Sequence, residues 1–123
     1  MNDKSFFDTN LIVYLFDESE KEKQKKANAV FLKCINKKNA FISVQVINEF
    51  IVIGTKKIKN PISFLEIEKR VRFLENKCYV SNLTIQDSYA AISIKNKYKL
   101  SFWDSLILQS ALRNECKILY SED

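Results

Sequence analysis

Short apolar runs alternate with longer stretches of helical periodicity along this chain. Ser5-Phe6-Phe7, Ala40-Phe41-Ile42-Ser43, Cys78-Tyr79-Val80 and Lys117-Ile118-Leu119-Tyr120 read as strands. A short helix is predicted from Leu11 to Phe16, with Asp8-Thr9-Asn10 supplying its turn and cap. Asp17-Glu18-Ser19-Glu20 opens the next helix with negative charge at its positive end, and Ala27, Val30, Phe31, Cys34 and Ile35 recur on its apolar face. A third helix runs from about Gln45 to Lys56. A fourth starts at Asn60-Pro61, where Asn caps and Pro takes the first position, with Phe64, Ile67, Val71 and Leu74 inward. Thr84 caps a fifth, which buries Ile85, Tyr89, Ile92 and Ile94 and ends near Tyr98. Leu100-Ser101-Phe102-Trp103 reads as an apolar loop, and Asp104 begins a last helix with Ile107, Leu108, Ala111 and Leu112 inward. Four short strands separated by helices imply an α/β domain with a parallel sheet covered on both faces.

Composition narrows the chemistry. The 123 residues suit one domain spanning 1–123, and 46% apolar with 12% aromatic residues suit a packed core. One Gly and one Pro leave little material for a hairpin-rich all-β fold. No apolar stretch is long enough to span a membrane and no secretory signal opens the sequence, so a soluble, cytoplasmic protein is expected. The chain has no His, which excludes Ser-His-Asp hydrolysis and imidazole acid–base chemistry. Cys34, Cys78 and Cys116 are far apart with no C-x-x-C spacing, and read as buried reduced thiols rather than a zinc site. A net charge of +5 suits a polyanionic partner, although Lys23, Lys25, Lys26 and Lys33 also read as a solvated helix face.

The chemistry-bearing residues are acids in apolar surroundings. Asp8, Glu49 and Asp104 each sit in an apolar run with no Lys or Arg within a helical turn, and Asp123 follows the last strand. Sites in such sheets gather beyond the carboxyl ends of the strands, where all four acids can meet. Clustered carboxylates repel one another, and Mg²⁺ or Mn²⁺ with oxygen ligands and retained waters relieves that repulsion. Such an ion orients and deprotonates water and neutralises charge on a phosphodiester. An N-cap role accounts for Asp8 or Asp104 singly, and a helix-dipole role for Asp87. Glu49, mid-helix beside Val46, Val52 and Ile53, has no such account.

Phe7-Asp8-Thr9-Asn10, Asn48-Glu49-Phe50, Phe102-Trp103-Asp104-Ser105-Leu106-Ile107 and Leu119-Tyr120-Ser121-Glu122-Asp123, taken in order, resemble the PIN domain. More narrowly they resemble the VapC-type toxins of toxin–antitoxin pairs. The resemblance implies an α/β/α sandwich with strand order 3-2-1-4 and usually a fifth edge strand, for which no residues remain after Asp123. It implies a metal-dependent endoribonuclease with Asp8, Glu49, Asp104 and Asp123 as catalytic metal ligands for Mg²⁺ or Mn²⁺. Thr9 and Ser121 match positions that hold the acids by hydrogen bonds, and Asn10 steadies the turn. It further implies cleavage to 5′-phosphate and 3′-hydroxyl ends, structured RNA such as tRNA as substrate, a cognate antitoxin and a homodimer. The alternatives are a catalytically inactive PIN-like RNA-binding or scaffolding module, or a PIN nuclease of RNA processing. A Rossmann-like nucleotide binder fails because no Gly-rich phosphate loop follows the first strand.

Overall fold

The structure, a computed structural model, describes residues 3–121. In chain order the elements are β1 (Ser5–Phe7), α1 (Thr9–Phe16), α2 (Lys21–Asn36), β2 (Ala40–Ser43) and α3 (Val44–Val52). A π-helical turn (Ile53–Lys57) extends α3, and α4 (Phe64–Lys77), β3 (Tyr79–Ser81), α5 (Ile85–Tyr98), α6 (Phe102–Arg113) and β4 (Ile118–Tyr120) follow. All the pairings are parallel and the order is β3-β2-β1-β4. Parallel crossovers are right-handed. The two leftward steps from β1 therefore put α1–α4 on one face, and the return to β4 puts α5 and α6 on the other. The predicted α/β class and the strand order 3-2-1-4 are both present.

The core forms where β1 and β2 meet the helices. Phe6, Phe7, Ile12, Phe31, Ile42, Val46, Phe50 and Leu74 are almost wholly buried. Phe7 packs edge-on against Phe31 and stacks on Tyr120, tying the central strand to α2 and β4. Cys34, Cys78 and Cys116 are free thiols. Burial pushes Cys78 up to about 12, with Cys34 nearby adding to it, and Cys116 up to about 11, so both stay protonated and unreactive.

Four predicted elements shift, each for a local reason. Asp17-Glu18-Ser19-Glu20 is a turn, not the start of α2, because Asp17 accepts from the Ser19 amide and hydroxyl. Asn60-Pro61 does not open α4. Ser63 caps it, accepting from the Glu66 amide at 3.2 Å, while the Ile62 amide is drawn to the Gly54 carbonyl. Phe64 is consequently exposed, and the buried positions of α4 are Ile67 and Leu74. Ser101 caps α6, which therefore begins at Phe102 and takes in half of the expected loop; Leu112 faces solvent. Finally, α5 is turned by roughly half its circumference: Ile85, Tyr89 and Ile92 are exposed and Asp87 and Ala91 are buried. The small residues Ala91, Ser110 and Ala111 let α5 and α6 approach closely. Asp87 is drawn inward to Arg113.

Among the described residues, three non-glycine residues lie in the left-handed region, Lys38, Lys99 and Glu115, with φ near 60°. Each lies just past the end of a helix, where Gly is the usual occupant.

Candidate active site

The strands end at one rim, and the chain turns there into the candidate site residues. Asp8 follows β1 directly. Its backbone amide donates to the Tyr120 carbonyl of β4 at 3.0 Å, and its carboxylate caps α1 by accepting from the Thr9 amide at 2.6 Å. This N-cap places the carboxylate at the positive end of a helix. Ser121, just past β4, also hydrogen-bonds the Asp8 side chain.

Glu49 comes from the middle of α3. The Thr9 hydroxyl donates to its Oε1 at 2.5 Å, and Gln45 Nε2 donates to its Oε2 at 3.2 Å. The same Gln45 nitrogen reaches the Trp103 carbonyl at 3.2 Å, so one side chain ties α3 to the start of α6. Gln45 is buried and its Oε1 has no partner within the protein. Asp104 is the third residue of α6. Its amide is capped by Ser101 Oγ at 3.0 Å, which corrects its expected place as the cap and leaves its carboxylate exposed.

These residues share one cleft of about 620 Å³, lined by Asp8, Thr9, Asn10, Glu49 and Asp104 and closed at its edges by Val52, Lys57, Leu83 and Trp103. Burial raises the Asp8 carboxyl above its ordinary value, and the Asp104 and Glu49 charges raise it further, against the pull of the Thr9 amide and Ser121. The ion pairs among the described residues, Arg70–Glu66, Arg72–Glu68 and Arg113–Asp87, involve other acids. Asp8, Glu49 and Asp104 thus form an acidic cluster with no ion pair among the described residues, and Lys57 is the cation that borders the same cleft.

The structure brings together Asp8, Thr9, Asn10, Glu49, Asp104 and Ser121. Asn10 lies exposed in the first turn of α1, so the turn it was expected to steady is helical. Asp123 lies outside the described residues. Among those described, no three His, Cys, Asp or Glu side chains are grouped so that they could hold a metal ion by themselves. The donors are all oxygens, however, and suit a hard cation that keeps several of its waters. Gln45 went unnoticed in the sequence. Its signal was an amide four residues before Glu49 in an otherwise apolar helix, on the same face. Asp87 is no part of this cleft. Thr84 and Asp87 form a capping box, and Arg113 reaches Asp87 Oδ1 at 2.8 Å from α6.

A sequence model of the PIN domain matches residues 5–123. Two solved structures share the fold. A toxin–antitoxin complex from Klebsiella pneumoniae is 23% identical with a TM-score of 0.71, over 98% of this chain and 87% of that one. VapC20 of Mycobacterium tuberculosis, a sarcin–ricin loop cleaving toxin, is 14% identical with a TM-score of 0.76, over 98% of this chain and 90% of that one. No curated protein matches the chain in sequence.

Proposed function

Because the chain belongs to the PIN domain family, we propose that it is a metal-dependent endoribonuclease and the toxin of a toxin–antitoxin pair. The observation that carries this reading is the convergence of Asp8, Glu49 and Asp104, from three separate elements, on one cleft where none of them forms an ion pair among the described residues. Structural acids of a stable domain are ordinarily paired or solvated. Asp8 and Glu49 are held by hydrogen bonds from Thr9, Gln45 and Ser121 that fix their positions while leaving their charge in place.

Asp8, Glu49 and Asp104, joined by Asp123, would hold Mg²⁺ or Mn²⁺. A divalent cation bound there supplies a nucleophile from water at neutral pH and neutralises charge on a phosphodiester. The protein's own part is orientation. Thr9 uses its amide on Asp8 and its hydroxyl on Glu49, so one residue sets the relation between two acids. Gln45 sets the distance between Glu49 and the start of α6. Val52, Leu83 and Trp103 wall the cleft with apolar surface, which strengthens the electrostatics inside it.

The relatives of similar fold, a toxin–antitoxin complex and a sarcin–ricin loop cleaving toxin, support extending the proposal to an RNA substrate and a cognate antitoxin. No helix among the described residues is long and apolar enough to cross a membrane. The exposed row Ile85, Tyr89 and Ile92 on α5 supports a homodimer, which Tyr89→Lys is expected to convert to monomer in light scattering.

The decisive experiment incubates the protein with RNA and Mg²⁺ or Mn²⁺, with and without EDTA. Cleavage that EDTA stops, and that falls by at least about a hundredfold in Asp8→Asn, is expected. RNA binding without cleavage under every divalent metal would replace the nuclease by an RNA-binding module.

A further inference from the structure

We propose that Trp103 is a stacking platform for an unpaired nucleobase next to the scissile phosphodiester, with Lys57 gripping a backbone phosphate across the cleft. The proposal rests on the nuclease reading and names the form of RNA it takes, a strand with an unstacked nucleotide rather than a continuous duplex.

Trp103 is 60% exposed although it directly precedes Asp104 and borders the acidic cleft. A large apolar ring left open to water beside carboxylates gains nothing for the free protein. Its position is nevertheless built. Its carbonyl is held by Gln45, the same side chain that holds Glu49, and the Phe102 ring meets the indole edge-on at 5.4 Å. The platform and the acid are thereby referenced to one buried amide. Stacking on an indole is open to any base but requires the base to leave its neighbours, which a duplex resists.

Lys57 reaches the cleft through an irregularity of the backbone. The α3 ladder changes register in the π turn, where the Ile58 amide returns five residues to the Ile53 carbonyl. Such turns re-aim the residues they carry. Here Ile53 and Lys57 both border the acidic cleft, and Lys57 with Asn10 also borders the depression beside it. Gly54 permits the turn to pack: a β-carbon there would lie 3.0 Å from the Ile67 methyl. An ammonium group at the rim of an acid cluster complements a phosphate flanking the reacting one.

The chain has a single Trp, so its intrinsic emission reports on this residue alone. A short unpaired oligoribonucleotide, and the same strand annealed to its complement, are titrated into the whole protein in EDTA. Emission is read with unlabelled RNA, and binding from the anisotropy of end-labelled RNA. Unpaired RNA is expected to quench Trp103, and the duplex to bind more weakly without quenching. Trp103→Ala is expected to weaken binding of the unpaired strand about tenfold, Trp103→Phe to restore most of it, and Lys57→Gln to reduce the salt dependence of binding. Unpaired RNA that binds with emission unchanged, or a Trp103→Ala protein with undiminished affinity, overturns the platform and leaves the nuclease standing. RNA that neither binds nor is cleaved with metal present overturns both.

Discussion

Thr9 is the residue on which most of the site's geometry hangs. Its amide caps to Asp8 and its hydroxyl closes on Glu49, and it is itself buried. Thr9→Val keeps the shape and removes the hydroxyl, leaving a half-buried carboxylate one donor short. We expect a loss of about 1–2 kcal/mol in urea unfolding, a larger loss of RNA cleavage, and recovery of both in Thr9→Ser. Asp8 makes the opposite bargain: its charge is useful to the site and costly to the fold. Asn caps helices as well as Asp does, so Asp8→Asn keeps the α1 cap while removing the repulsion. Its Tm in metal-free buffer near neutral pH is expected to rise by about 2–4 °C by calorimetry; a lower Tm would mean that the carboxylate is not strained. Glu49→Gln is expected to weaken Mn²⁺ binding in titration calorimetry while the domain stays folded. The acids were legible in the sequence because charge in an apolar run is conspicuous. Gln45 was not, because a neutral amide at the start of a helix resembles ordinary surface.

At the scale of elements, the departures from expectation come from polar residues that outvote the apolar pattern. Ser63 and Ser101, each three residues before an acid, start α4 and α6 in preference to Asn60-Pro61 and Asp104. The face of α5 is chosen by Asp87. Burial alone would raise its carboxyl, but the Thr84 amide, Gln109 and Arg113 outweigh this and hold it below the usual range. Periodicity reported the apolar residues of α5 correctly and their side wrongly, since it has no term for a buried ion pair formed with a helix not yet placed. A lowered folded value contributes stability that is complete above the unfolded value near pH 4 and is lost as pH falls through the folded one. Asp87→Asn is therefore expected to lower Tm near neutral pH and to flatten its decline towards about pH 3, measured by calorimetry. Arg113→Met, which leaves Asp87 buried and unpaired, is expected to cost about 3 kcal/mol.

For the whole molecule, the alternation of elements implies a parallel sheet but not its strand order; the order that the PIN resemblance implies is the one present, and it puts the acids at the point where the sheet reverses direction. Chain segments leave β1 one way and arrive at β4 from the other, and Asp8 and Ser121 stand side by side in the resulting crevice. The opposite rim has a separate character. Lys38 enters β2 and Glu115 precedes β4, both twisted into a backbone shape that side chains pay about 1 kcal/mol or more to adopt. Relaxing these two corners, as Lys38→Gly and Glu115→Gly would, should firm up the domain from the end that touches no chemistry. A domain in which two of three strained residues sit on the rim away from its cleft can be made hardier there without disturbing the site, and a purified double variant with higher Tm and unaltered cleavage would demonstrate that independence.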